Sequence, residues 1–198
     1  LFDRHDVTYG ANYRMYHTHM HETELVSLSP ASRTNNVFSG FIRDEITLIP
    51  ERLSLTLGTR LDRNDFTGLE IQPNARLMWT PNAENSVWAA VSRAVRTPNR
   101  AENDAVLKSL QLSSIPGFPV LPFPVQATFN GQSNFQSEKL LAYEVGYRRQ
   151  LTPRASVDIA GFVNDYTQLR DTSIDGITLG AGFPRHLIAK VMSNNAAS

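Results

Sequence analysis

The sequence predicts an all-β fold, an antiparallel up-and-down meander of about seven strands with the length of transmembrane β-barrel strands. Three observations carry this. Apolar residues recur with period 2 along most of the chain and nowhere sustain a helical stripe. Tight, proline-punctuated turns alternate with long connections, giving a meander with two different ends. The residues between the apolar ones carry a heavy charge load, which a water-filled interior tolerates easily. Alternation alone does not choose the solvent, because a soluble sandwich also has one apolar and one polar face. A soluble β-sheet protein therefore stays open at this point.

In order, the strands are expected near Val7–Tyr16, Val37–Ile49, Arg52–Asn64, Ile71–Thr80, Ser86–Arg96, Glu138–Leu151 and Ala155–Leu169. The third shows the logic most clearly. In "RLSLTLGTRLDRND" Leu53, Leu55, Leu57 and Leu61 share one face, and Ser54, Thr56, Gly58, Arg60 and Asp62 share the other. Leu141, Tyr143, Val145 and Tyr147 oppose Ala142, Glu144, Gly146 and Arg148 in the same way, as Val157, Ile159 and Val163 oppose Ser156, Asp158 and Asn164. Two strands read less cleanly. Ala89, Ala90 and Ala94 blur the register of 86–96, and Asp44 interrupts the apolar set of 37–49 between Ile42 and Ile46. Strand length separates the two solvents better, since soluble strands average about 5–6 residues and bilayer crossings need about 9–11.

"IPER", "TPNAEN" and "TPR" are the tight turns, and Trp79 and Trp88 flank the middle one, where an interfacial aromatic girdle is expected. Residues 17–36, 97–137 and 170 onwards are expected as long or irregular connections, with 100–112 the one stretch carrying a helix-capping signal. The uncharged run Ser109–Ser137 is no membrane helix, because Pro116, Pro119, Pro122 and Pro124 would break it four times over.

The 19 basic and 19 acidic residues cancel, so no global field draws the chain to nucleic acid. The absence of cysteine excludes a disulfide framework and thiolate metal sites. "LFDRHDVTYG" has neither the basic nor the apolar region of a signal peptide, and with "SNNAAS" at the other end the chain reads as a fragment. No nucleophile elbow or phosphate loop occurs, so no enzyme activity is expected.

Three groups are candidates for function. In "YHTHMHE" an extended backbone puts His17, His19 and His21 on one face, and imidazoles suit Zn, Cu, Ni or Fe; solvated histidines in an outer loop are the bland alternative. Arg60, Arg76, Arg96, Glu144 and Arg148 are expected on the polar face, either guiding an anionic ligand and pairing with groups that fill the interior, or forming a ladder of cross-strand pairs. Phe118, Phe123 and Phe129 lie in a long proline-rich loop that could offer a ligand an aromatic surface or merely cover the barrel mouth.

"FSGFIRDEITL" (38–48), "RLSLTLGTRLDRNDF" (52–66), "QPNARLMWTP" (72–81), "SVWAAVSRAVRTPNRAE" (86–102) and "SEKLLAYEVGYRRQLTPRASVDIAGFVNDYTQLRD" (137–171) resemble, in order and spacing, consecutive strands of TonB-dependent outer-membrane receptors. The resemblance is good over about 35–171. It implies an active transporter of Gram-negative outer membranes, a barrel of about 22 strands around a plugged lumen. Such receptors import metal chelates such as iron–siderophores or cobalamin, and some take carbohydrates. The implied partners are outer-membrane lipid, a small-molecule chelate, and the TonB complex through an N-terminal box. Residues 1–198 would then be about seven strands from the middle of the barrel, without the plug, the box or the C-terminal strands, and with no resident cofactor. In that frame the leucines of 52–64 face lipid, Arg60 and Asp62 face the lumen, and the tight turns are periplasmic. A small self-contained outer-membrane barrel with a structural or adhesive role is the alternative.

Overall fold

The computed structural model describes residues 2–112, 125–180 and 186–196. Twelve strands dominate the described residues, with one short 3-10 turn and one short helix. They are β1 (His5–His19), β2 (Val26–Leu28), β3 (Ser32–Ile49), β4 (Leu53–Asn64), β5 (Gly68–Asn82) and β6 (Asn85–Arg96), then α1 (Arg100–Asp104). After the helix come β7 (Ala105–Leu112), β8 (Val125–Asn130), β9 (Glu138–Thr152), β10 (Ala155–Thr167), β11 (Arg170–Leu179) and β12 (Leu187–Asn195). The chain divides into two compact units, residues 1–14, 36–96 and 139–167 in the first and the remainder in the second.

The seven expected strands are all present and form one open sheet in the order β1-β3-β4-β5-β6-β9-β10. They run from 12 to 18 residues, beyond the ~9–11 a tilted crossing requires; β4 and β10 end slightly short of their expected spans and the other five extend past theirs. The register confirms the two faces. Leu53, Leu55, Leu57 and Leu61 stand opposite Trp79, Leu77, Ala75 and Ile71, while Thr56, Gly58, Arg60 and Asp62 stand opposite Arg76, Asn74, Gln72 and Glu70. The hairpin turns have local causes. Asn82 Oδ1 accepts from the backbone N of Glu84 and Asn85 at 3.1 and 3.0 Å, and Asn64 Oδ1 does the same for Phe66 and Thr67 at 2.9 and 2.8 Å. Gly68 follows the second of these at φ 77°, a left-handed conformation that glycine adopts without strain.

Both blurred strands resolve. Ala89 pairs with Leu77 on the leucine face and Ala90 with Arg76 on the charged face. Asp44 does sit on the leucine face, opposite Leu57, where its Oδ2 lies 2.7 Å from His5 Nδ1. The girdle expectation needs correction. Trp79 pairs with Val87 on the leucine face, but Trp88 pairs with Met78 on the charged face. The turn between them shifts the register, so two tryptophans that flank one turn in sequence point to opposite sides.

The connections read as long loops carry more structure than expected. β2, β7, β8, β11 and β12 form a second sheet in the order β11-β12-β8-β7-β2. Its β12–β8 pair is parallel and its other three pairs are antiparallel. Its strands of 3 to 10 residues are short enough that alternation was not visible across the intervening prolines and glycines.

The two units differ in what they bury. Among the described residues the buried apolar side chains are Leu28, Ala105, Val125, Ala127, Phe135, Ala142 and Ala189, and only Ala142 belongs to the first unit. Large apolar side chains of that unit lie open on the leucine face, with Tyr143 50%, Val145 54%, Ile159 64% and Val163 67% exposed. In water such a continuous apolar surface would drive association. In lipid it is the surface that holds the sheet in place.

Candidate functional site

The charged face of the first unit is largely self-neutralised. Arg60 Nε donates to Asp62 at 2.9 Å, with Ser39 and Gln72 completing the cluster at 3.1 and 2.8 Å. Arg43 pairs with Glu45 at 2.8 Å, and Arg148 Nε donates to Asp158 at 3.0 Å. Only the last of these three pairs joins directly opposed residues on neighbouring strands. Arg43–Glu45 and Arg60–Asp62 run along single strands, where residues i and i+2 share a face, so the ladder of cross-strand pairs is only partly realised.

Arg76 is held differently, by its guanidinium lying 4.6 Å from the centroid of the Trp88 ring. That ring packs against Gly146, where a Cβ would come 2.4 Å from the indole. Glycine at 146 is thus a requirement of close approach, and it makes room for the Trp88 ring. Glu144 occupies the same face, opposite Phe162, and Arg96 ends β6. Among the described residues neither Arg76 nor Glu144 has a partner of opposite charge.

In the second unit the three histidines separate into two kinds. His17 is engaged on both ring nitrogens, Nδ1 with Thr34 Oγ1 at 2.9 Å and Nε2 with Ser32 Oγ at 3.1 Å. His19 and His21 meet edge to face with centroids 5.1 Å apart. Among the described residues no three His, Asp or Glu groups gather as a metal site. His17 is diverted by its hydroxyl neighbours, so the expected three-imidazole arrangement does not assemble.

A buried ionic cluster that the sequence analysis missed centres on α1. Asp104 accepts from Arg33 Nη1 at 3.0 Å and from Arg100 Nε at 3.0 Å. Arg100 also donates to the carbonyls of Thr18 and Pro30. Glu102, likewise buried, accepts from the Asn99 backbone N at 2.9 Å and pairs with Arg170 at 3.5 Å. The signal was legible in part, because Asn99 and Glu102 form a capping box, asparagine followed three residues later by glutamate. The long-range partners Arg33 and Arg170 were not. Phe129 lies on β8 and lines a cavity beside this cluster, whereas Phe118 and Phe123 fall outside the described residues.

An open, long-stranded antiparallel sheet with an apolar outer surface and a paired-charge opposite face is the wall of a membrane β-barrel, part of its circumference. Residues 1–196 match the family model of the TonB dependent receptor-like β-barrel, and the chain belongs to that family. Family members are outer-membrane transport receptors of Gram-negative bacteria rather than enzymes. Among solved structures, a variant of the ferric enterobactin receptor PfeA of Pseudomonas aeruginosa is similar at 21% identity and TM-score 0.75, over 96% of this chain and 28% of that one. The siderophore receptor PirA of Acinetobacter baumannii matches at 15% identity and TM-score 0.75, over 97% and 30%. PirA of Pseudomonas aeruginosa matches at 19% identity and TM-score 0.70, over 97% and 34%. At these identities the likeness is one of fold, and the chain spans about a third or less of each neighbour's length. Among curated proteins none matches the chain.

Proposed function

We propose that this chain is a central part of the barrel wall of a TonB-dependent receptor that imports an iron chelate of the siderophore class across the outer membrane. The observation that carries the reading is the two-faced seven-stranded sheet, apolar on one face and charged on the other, within a family of transport receptors whose similar solved members include siderophore receptors. One such neighbour, PfeA, has been solved in complex with enterobactin. In this reading the leucine face meets lipid, and Arg60, Arg76, Arg96, Glu144 and Arg148 face the lumen. The plug, the TonB-contacting box and the closing strands belong to parts of the receptor outside residues 1–198, and energy comes from the TonB complex. In this reading His19 and His21 belong to the outer, ligand-meeting side.

The test is a deletion of the whole gene followed by iron-restricted growth and uptake of radioactive iron presented as different siderophores. Loss of uptake for one chelate class, restored by the intact gene but not in a strain lacking TonB, is the expected result. Unchanged uptake of every chelate would withdraw the iron assignment.

A further inference from the structure

We propose that a groove on the leucine face of the first unit, ending at Arg63, is a binding site for a lipid with a phosphomonoester head. One acyl chain lies in the groove and the phosphate sits on the guanidinium. The site rests on the reading that the leucine face meets lipid and the tight turns are periplasmic. The groove measures about 490 Å³ and is lined by Tyr13, Phe38, Leu61, Leu69 and Arg63. Ala11 and Gly40 also line it, and their small size leaves the floor open. In the register Arg63 stands opposite Phe38 on one side and Leu69 on the other, and Leu61 stands opposite Gly40.

Depth and charge select the ligand. The stretch of β5 from Leu69 to Trp79 matches the ~9–11 residues of one tilted crossing. Trp79 lies beside a tight turn, so Leu69 and Arg63 stand at the level of the opposite, outer headgroups. An aromatic pair marks the same level. The Tyr13 and Phe38 rings are 4.5 Å apart, and the Tyr13 hydroxyl donates to Asn36 at 2.9 Å. Arg63 is exposed and has no hydrogen-bond or ion-pair partner among the described residues. Asp65, in the adjoining turn, already accepts from the Asn36 backbone N and amide Nδ2 at 2.6 and 3.2 Å. Asp44, deeper on the same face, is by contrast matched by His5.

An unpaired guanidinium at the end of an apolar trough calls for an anion joined to an apolar chain, and its planar fork suits a phosphate. A phosphomonoester head carries no cation of its own to compete with Arg63. A second copy of this chain, joined two-fold through the same face, would bring a like charge rather than an anion.

The experiment is native mass spectrometry of the purified full-length receptor in detergent with dioleoyl phosphatidic acid, dioleoyl phosphatidylcholine or dioleoylglycerol added. The expected result is one phosphatidic acid retained per receptor, with at least about tenfold weaker retention of the other two. Arg63→Met should weaken it about tenfold, and Arg154→Ala, at a turn of the opposite end, should leave it unchanged. Gly40→Leu should weaken it as well, because a Cβ there meets only the Gly10 carbonyl oxygen, at 3.9 Å, so the larger side chain fits the fold and fills the groove. Heat-modifiable gel mobility shows that each variant is folded. Equal retention of the three lipids, unchanged retention in Arg63→Met or Gly40→Leu, or receptor dimers in place of lipid adducts overturns the site. So does displacement of the lipid by inorganic phosphate at equal concentration, which would mean that the groove contributes nothing. Failure of retention beside normal chelate uptake overturns the groove alone, and retention without chelate uptake overturns the import reading alone. A receptor that stays monomeric in water without detergent overturns the lipid-facing reading itself.

Discussion

In the first unit Leu57, Leu61, Ile159 and Val163 lie on the surface, and among the described residues Ala142 is its buried apolar side chain. In the second unit Val125, Ala127 and Ala189 are almost fully buried, and Arg100, Glu102 and Asp104 are buried with ion-pair partners. The second is built like a small water-soluble domain, with apolar residues inside and buried charges satisfied. The first is built the other way out, which is stable only where the surrounding solvent is lipid. One polypeptide therefore follows two solvation rules, and its ion pairs differ accordingly. Those on the open charged face remain in contact with solvent, and those around α1 are shielded from it.

The contrast can be broken most forcefully at its buried charges. Asp104→Ala in the full-length receptor leaves Arg33 and Arg100 without their carboxylate, and removing one partner of a buried pair costs about 3–5 kcal/mol. Limited proteolysis should then cut within the second unit while the strands of the first stay protected. Next in size is the lipid surface. Leu57→Arg should lower the stability of the receptor refolded into vesicles by about 2–4 kcal/mol if the residue lies near mid-depth, whereas Thr56→Arg on the opposite face should change it little. Equal losses from the two variants would remove the distinction between faces.

Gly146→Val drives a side chain into the Trp88 ring and should destabilise by about 1–3 kcal/mol, as overpacking does. The shift in tryptophan fluorescence reports the displaced indole. Smallest is Arg148→Ala, which breaks an exposed pair with Asp158 and should cost under about 1 kcal/mol, with added salt abolishing even that. A loss as large as that from Asp104→Ala would mean the charged face is far less hydrated than its exposure indicates.

How far the sequence could be read follows from the same contrast. In β4, β9 and β10 each residue's face depends on alternation alone, so Leu57 and Asp62, or Val145 and Glu144, could be assigned to sides by counting. Trp88 could not, because the turn between β5 and β6 shifts the register and no local pattern records that shift. Asp44 broke the pattern for a reason carried by a residue far away in sequence, His5. The capping box at Asn99 and Glu102 was visible locally, but nothing near Arg33 or Arg170 announced that each would pair with a carboxylate of α1.

The sequence by itself determined the seven strands of the first sheet, their two faces and the family, because a long strand in a membrane wall repeats one local choice of lipid or water at every second residue. Tertiary structure alone decided the second sheet, the seating of Trp88 on Gly146, the diversion of His17 to Ser32 and Thr34, and the cavity beside Phe129. Each of these depends on backbone segments distant in sequence coming within contact distance, and a contact of that kind leaves no period in the chain that makes it.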